Sequence, residues 1–348
     1  MSDQSVKNQY FDLKAAKIQN FGDQLARKLC DDVVTKFLIE QEVNPAEVQP
    51  FLFIIGSWLN HEFFREKCTG ALSFIMGAGA GYSHFPVRRT IVNGYPIVAS
   101  SQLRASLKDG HENGEIKFML TRGPLTCTLL GLNESSARFV DGGYLVRRLP
   151  EAHKYIRAEK RHRIGLMPHY TAAVNSPSLK KACQRLGWTY IDPRDGVDHC
   201  MREIAGCELF LTEALHGAIV ADALRVKWIP FRTSDDIYRL KWLDFFASIE
   251  KKYDPMPIPV KWRFQVEKTR NPIRLARGVS HSLWGRFISL WHSNDRTLKS
   301  LIELTSSPVM MSSDEQIAQI DADMEWALHE LAREYSKLST LNSSVDLS

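Results

Sequence analysis

The chain has 348 residues, of which 44% are hydrophobic and 24% charged, with a net charge of +5 at neutral pH. This length holds two ordinary domains, and this composition excludes a disordered chain. The small positive excess does not by itself indicate nucleic acid; it suits an anionic substrate or an anionic membrane surface.

In chain order, residues 13–18 predict a first strand. The turn Gln19-Asn20-Phe21-Gly22-Asp23 follows, and then a helix with apolar positions at Leu25, Leu29, Val33, Val34 and Phe37. Gly22 permits a tight turn and Asp23 suits the cap or first helical turn. A turn at the carboxyl end of a parallel strand faces a ligand crevice, which makes Asn20, Gly22 and Asp23 candidates. Residues 51–55 predict a buried strand ending in Gly56-Ser57, and residues 72–76 another ending in Gly77-Ala78-Gly79-Ala80-Gly81. Gly77 and Gly79 allow close approach of a ligand to the backbone, although the full dinucleotide fingerprint is not met. Residues 82–95 read as irregular.

Strands are expected at 96–100 and 117–120. The second ends in Thr121-Arg122-Gly123-Pro124, where Pro124 opens a helix and the Arg122 fork suits a carboxylate or phosphate. Residues 138–140 predict a strand before Asp141-Gly142-Gly143, and the charged stretch 147–163 a linker. A strand at 164–167 ends in Pro168-His169-Tyr170. A helix at 178–186, a strand at 188–191 and a helix at 197–205 follow. Strands alternate with helices in both halves, so the expected class is α/β, with two Rossmann-like domains and parallel sheets.

The stretch ELFLTEALHGAIVADALRVKWIPF, residues 208–231, reads as strand, turn, amphipathic helix and strand. His216 falls where the turn becomes a helix, beside free amides that attract anions. An imidazole there can donate a proton to a substrate held by its anionic groups. Residues 240–249 predict a helix, and 254–260 a Pro-rich linker or extended crossing segment. The basic, aromatic-rich stretch 261–299 reads either as an amphipathic element on an anionic membrane or as a core-packed helix. A helix at 314–338 and a disordered tail at 339–348 complete the chain.

Six cysteines (Cys30, Cys68, Cys127, Cys183, Cys200, Cys207) form no CxxC pair and no metal-ligand spacing. They read as buried free thiols of a cytoplasmic protein. The first residues lack the apolar core of a secretion signal, and no apolar run reaches the roughly 18–20 residues that span a bilayer.

Seven segments occur in a fixed order: NFGD (20–23), IGS (55–57), MGAGAG (76–81), TRGPLT (121–126), PHY (168–170), TEALHGAIVADAL (212–224) and KWLD (241–244). Together they resemble the polysaccharide pyruvyltransferase family, especially its bacterial exopolysaccharide branch. The resemblance covers roughly residues 13–250. It implies a GT-B-like fold with the active site in the interdomain cleft. The domains are expected at residues 1–155 and 156–255, and the basic segment and last helix, 256–338, lie outside the resemblance.

It further implies transfer of pyruvate from phosphoenolpyruvate to two hydroxyls of a sugar, giving a cyclic ketal. The Arg122 and His216 positions match those serving donor binding and catalysis in the family. One departure is Ala214, where some relatives carry Arg or Ser; the donor then needs another cation.

The chemistry assigns His216 as proton donor, with Asp23 or Glu213 as base for the sugar hydroxyl. Arg122, His169 and the amides around Leu215 and Gly217 hold the donor. No redox cofactor is needed, and no metal in principle. The partners expected are phosphoenolpyruvate, a saccharide acceptor, lipid-linked or free, and an anionic membrane at the cytoplasmic face; no nucleic acid is expected. The rival readings are a GT-B glycosyltransferase using a nucleotide sugar and a non-catalytic saccharide-binding protein.

Overall fold

Short apolar runs, each ending in glycine or a polar turn, build two sheets. The computed structural model describes residues 20–44, 50–57, 59, 72–81, 89–92, 95–98, 109–132, 137–234, 239–262 and 294–345. In the first half lie β1 (Phe51–Phe53), β2 (Ser73–Met76), β3 (Arg89–Val92), β4 (Tyr95–Val98) and β5 (Ile116–Leu120). Strands β1, β2 and β5 form a parallel sheet in the order β1-β2-β5, while β3 and β4 pair antiparallel as a separate ribbon.

The second half contributes β6 (His162–Met167), β7 (Thr189–Tyr190), β8 (Cys207–Thr212), β9 (Lys227–Arg232) and β10 (Met256–Pro257). All are parallel, in the order β7-β6-β8-β9-β10. The chain leaves β6 toward β7 on one side and then crosses to β8 on the other. The strand order therefore reverses between β6 and β8, and in open parallel sheets the crevice at the carboxyl ends of such a pair receives the ligand. His169 follows β6 and His216 follows β8.

Several elements differ from the sequence reading. The Leu215–Ala223 helix is not amphipathic: every residue from Gly217 to Ala223 is buried. It lies within an apolar cluster that runs continuously from Phe74 on β2 through Tyr144 and Ile219 to Phe210 on β8. Residues 89–92, read as irregular, form β3. The strand expected at 138–140 is reduced to a bridge between Phe139 and Thr121, because the chain turns at once into a 3-10 helix, Gly142–Arg148, capped by Asp141. The stretch 147–163 holds a short helix, Ala152–Ile156, and the start of β6. Met256–Pro257, in the expected crossing segment, adds an edge strand.

The first helix, Phe21–Leu29, continues through a π-helical turn, Cys30–Thr35, into Lys36–Glu40. The strand expected at 13–18 and all but the ends of the basic stretch at 261–299 lie outside the described residues. So does Cys68; the other five cysteines are buried thiols outside any disulfide.

After β9 the chain reaches the Asn294–Leu304 helix, and Met310 then pairs with Trp228 of β9. The last helix, Asp314–Val345, runs past the expected end at Leu338. It returns to the first sheet, where Tyr335 packs on Phe74 and Glu334 pairs with Lys117. Arg147 grips Asp321 with two hydrogen bonds of 2.8 and 2.6 Å. Among the described residues no helix is long and apolar enough to cross a membrane.

Asp222 joins these parts. Its buried carboxylate accepts hydrogen bonds from the Tyr144 hydroxyl (2.7 Å), the Trp228 indole (3.1 Å) and the Ser312 amide (2.8 Å). Replacing Asp222 by Ala strands three buried donors, so Asp222→Ala should lower the unfolding free energy by about 3–5 kcal/mol. Urea denaturation measures this.

Candidate active site

The His216 ring stands at the first turn of the Leu215–Ala223 helix, directly after β8. The turn before it is closed locally: Thr212 Oγ1 accepts from the Ala214 amide at 3.0 Å and donates to the Ala214 carbonyl at 3.1 Å. The helix start has no side-chain cap. Opposite it lies the start of the Phe21–Leu29 helix, also without a side-chain cap. Two positive helix ends thus converge on one imidazole.

Their approach depends on Gly22. A methyl group there would sit 2.2 Å from His216 Nδ1. Gly22 is helical and buried, so its role is to let the ring in, not to turn the chain as the sequence reading had it. His216 Nε2 is sealed from solvent and has no hydrogen-bond partner among the described residues. Burial, with Arg122 and Lys241 nearby, holds the imidazole down at about 4, against a smaller upward pull from Asp141. His216 is therefore neutral at pH 7 in the free protein.

Around this ring the other candidates separate into two groups. Arg122 is buried, and its fork is occupied. Nε donates to Asp141 Oδ2 at 2.8 Å, Nη1 to Ser57 Oγ at 3.1 Å and Nη2 to the Gly56 carbonyl. The neighbouring helix start is occupied too. Asp244 Oδ1 accepts from the Thr126 amide at 3.0 Å and Oδ2 from its hydroxyl at 2.5 Å. The RGPLT segment is thus filled by protein carboxylates.

Gly77 and Gly79 line this same packing. A methyl group at Gly77 would meet the Gly142 amide at 2.2 Å, and one at Gly79 would meet Arg122 Nη1 at 2.6 Å. Gly217 is closed in by Thr212 and Met167, and Leu215 is buried. These glycines make room for protein.

The second group gathers around Lys241. Glu213 is fully buried. It accepts from the Thr233 amide, from the Thr233 hydroxyl at 2.7 Å and from the His169 amide at 3.1 Å. It ties the carboxyl ends of β6, β8 and β9 together, and burial raises its carboxyl above the usual range. With its oxygens so engaged, Glu213 is poorly placed to take a substrate proton.

His169 contacts the Thr171 hydroxyl through Nδ1 at 2.8 Å, and burial with Lys241 depresses its imidazole to about 3. Asp23 is half-buried. Asn20 Nδ2 donates to one of its oxygens at 3.0 Å, and burial raises its carboxyl. Asn20 thus orients Asp23.

Lys241 was quoted in the KWLD segment but assigned no role there. It lies within electrostatic reach of Asp23, Glu213, His169, His216 and Arg122, and burial lowers its ammonium to about 8. Local sequence carries no signal for this placement; it follows from the docking of the Arg239–Ser248 helix by Asp244.

Fold and site define an α/β protein with parallel sheets and with His169, Glu213 and His216 gathered at the carboxyl ends of its strands. The polysaccharide pyruvyl transferase family model matches residues 134–235. The succinoglycan biosynthesis protein ExoV of Rhizobium meliloti (strain 1021) is similar to the chain, with 30% identity over 246 residues. That similarity covers 70% of this chain and 66% of the relative, just under two thirds of its length. The chain belongs to the polysaccharide pyruvyl transferase family. No solved structure shows a significant match to it.

Two stability measurements check the site. Gly22→Ala should cost about 1–3 kcal/mol through overpacking against the His216 ring. In a His216→Ala background most of that cost should vanish, a coupling that a double-mutant cycle resolves. The pH dependence follows from the depressed imidazole. The folded state resists the His216 proton, so this contribution is full above pH 6.5 and is lost as pH falls toward about 4. His216→Gln should shrink the loss of melting temperature over that window, with His169 supplying part of the remainder.

Proposed function

We propose that the chain transfers pyruvate from phosphoenolpyruvate to two hydroxyls of a sugar in an exopolysaccharide or its lipid-linked precursor. The products are a cyclic ketal and phosphate. Family membership and the similarity to a succinoglycan biosynthesis protein support a polysaccharide substrate. The observation that carries the reading is the imidazole of His216, whose Nε2 has no hydrogen-bond partner among the described residues, placed between two helix starts without side-chain caps and within electrostatic reach of Lys241. The pocket so formed, between the two sheets, serves as the GT-B-like cleft.

The reaction asks for an acid at the methylene carbon, a base at the hydroxyl and fixed positive charge for the anions. His216 is neutral in the empty site because burial and neighbouring cations oppose its proton. A bound donor brings carboxylate and phosphate charge, which favours the imidazolium. His216 then protonates the methylene carbon, and C2 takes on oxocarbenium character. The first hydroxyl adds to C2, the C2–O bond to phosphate breaks with its electron pair leaving on oxygen, and the second hydroxyl closes the ring.

Of the two hydroxyl protons released, one balances the new methyl group and the other leaves with phosphate. Asp23, half-buried and oriented by Asn20, is the base in this scheme. Glu213 positions His169 through its backbone amide. Arg122 contributes field and shape from its buried pair with Asp141.

Phosphate release from phosphoenolpyruvate with a panel of α- and β-linked hexosides tests the proposal. Wild-type chain should release phosphate with one acceptor class, and His216→Ala should be slower by roughly 100- to 10,000-fold, the usual contribution of one proton-transfer group. Wild-type-like turnover in that variant removes His216 from the chemistry.

A further inference from the structure

The pocket lacks an obvious ligand for the donor's most highly charged group. Ala214 carries only a methyl group, so the turn before the Leu215–Ala223 helix offers no side-chain contact to an anion. Arg122 is turned toward protein: its side chain is buried, and Nε, Nη1 and Nη2 each donate to a protein oxygen, of Asp141, Ser57 and Gly56. The start of the Pro124–Leu130 helix is taken by Asp244.

Lys241 remains. It forms no hydrogen bond and no ion pair among the described residues, although two carboxylates, Asp23 and Glu213, lie within its electrostatic reach. Those carboxylates have other partners: Asn20 for Asp23, and Thr233 with the His169 amide for Glu213. Lys241 is not held in place by closing a pair with them. Its position comes from its helix.

Asp244, one turn further on, pins the Arg239–Ser248 helix to Thr126. At Gly123 the two backbones pass so closely that a methyl group would fall 2.2 Å from the Asp244 carbonyl. Residues three apart share a helix face, so the anchor also aims Lys241. A half-buried lysine held by its backbone, near two imidazoles that cannot neutralise it, is a point charge awaiting an anion.

The geometry points to Lys241 as the residue that holds the donor's phosphoryl group. This rests on the pyruvyl-transfer reading above. A lysine suits a phosphate, which a point charge can bind from many directions, better than it suits a planar carboxylate that favours a guanidinium fork. The same contact gains strength as the C2–O bond breaks and its electron pair moves onto the phosphate oxygen.

The test is direct binding by calorimetry to the purified full chain, with phosphoenolpyruvate, inorganic phosphate and pyruvate as separate probes. Lys241→Gln should weaken phosphoenolpyruvate and phosphate roughly 10- to 100-fold, the range for loss of one charged hydrogen bond. Pyruvate, which has no phosphoryl group, should bind equally to both proteins, and Lys241→Arg should recover part of the loss. Lys241→Met keeps the stem without the charge and serves if Gln disturbs folding, which melting temperature reports. Unchanged phosphoenolpyruvate and phosphate affinity in folded Lys241→Gln overturns the assignment while leaving the pyruvyl-transfer reading intact. Lys241-dependent phosphate binding in a chain that ignores phosphoenolpyruvate keeps the lysine as a phosphate ligand and overturns the pyruvyl-transfer reading. Wild-type chain that binds none of the three probes overturns both.

Discussion

Asp244 sets the geometry on which the site depends. Its carboxylate, buried against the first turn of the Pro124–Leu130 helix, holds an element from the second half of the chain against one from the first. A carboxylate at a helix start is favoured by both the free amides and the helix dipole. Burial raises its pKa, while Arg122 and the Thr126 bonds pull the other way. Asp222 works alongside it, taking donors from Tyr144, Trp228 and Ser312. Apolar burial brings the sheets together without choosing an angle; these directional bonds choose one.

The electrostatics of the pocket follow from the same packing. Arg122 and Asp141 neutralise one another below the ring, and Glu213 is satisfied by three donors. Asp23 and Lys241 lie within electrostatic reach of each other, with no hydrogen bond or ion pair between them among the described residues. The two imidazoles are neutral because dehydration and Lys241 both oppose their protons. Such a site is poised to gain protons and anions together: each anion bound makes protonation of His216 easier, and each proton makes the anion tighter. An enzyme whose first step is proton delivery to carbon gains from that coupling.

Much of this was legible in the chain. Of the ten strands among the described residues, apolar runs ending in turns placed eight to within a few residues; β3 fell in a stretch read as irregular and β10 in one read as a linker or extended crossing segment. The LHG turn put His216 at a helix start after a buried strand, where it stands. The ordered motifs marked the family. Misreadings came where local pattern and tertiary partner disagree. The Leu215–Ala223 helix reads as amphipathic because Asp222 interrupts its apolar run, yet that aspartate is buried among three donors. The glycines at Gly77 and Gly79 read as ligand-facing, yet protein fills the space beside them.

Sequence alone determined the alternation of strand and helix, the turn that carries His216 and the family, because these depend on residues near one another in the chain. Tertiary structure decided which charges are free. Arg122 and Glu213 look available in sequence and are engaged by residues as distant as Ser57 and Thr233. Lys241 looks ordinary and has no hydrogen bond or ion pair among the described residues. Whether a charged side chain meets a counter-charge depends on contacts between remote segments, and no local pattern records those.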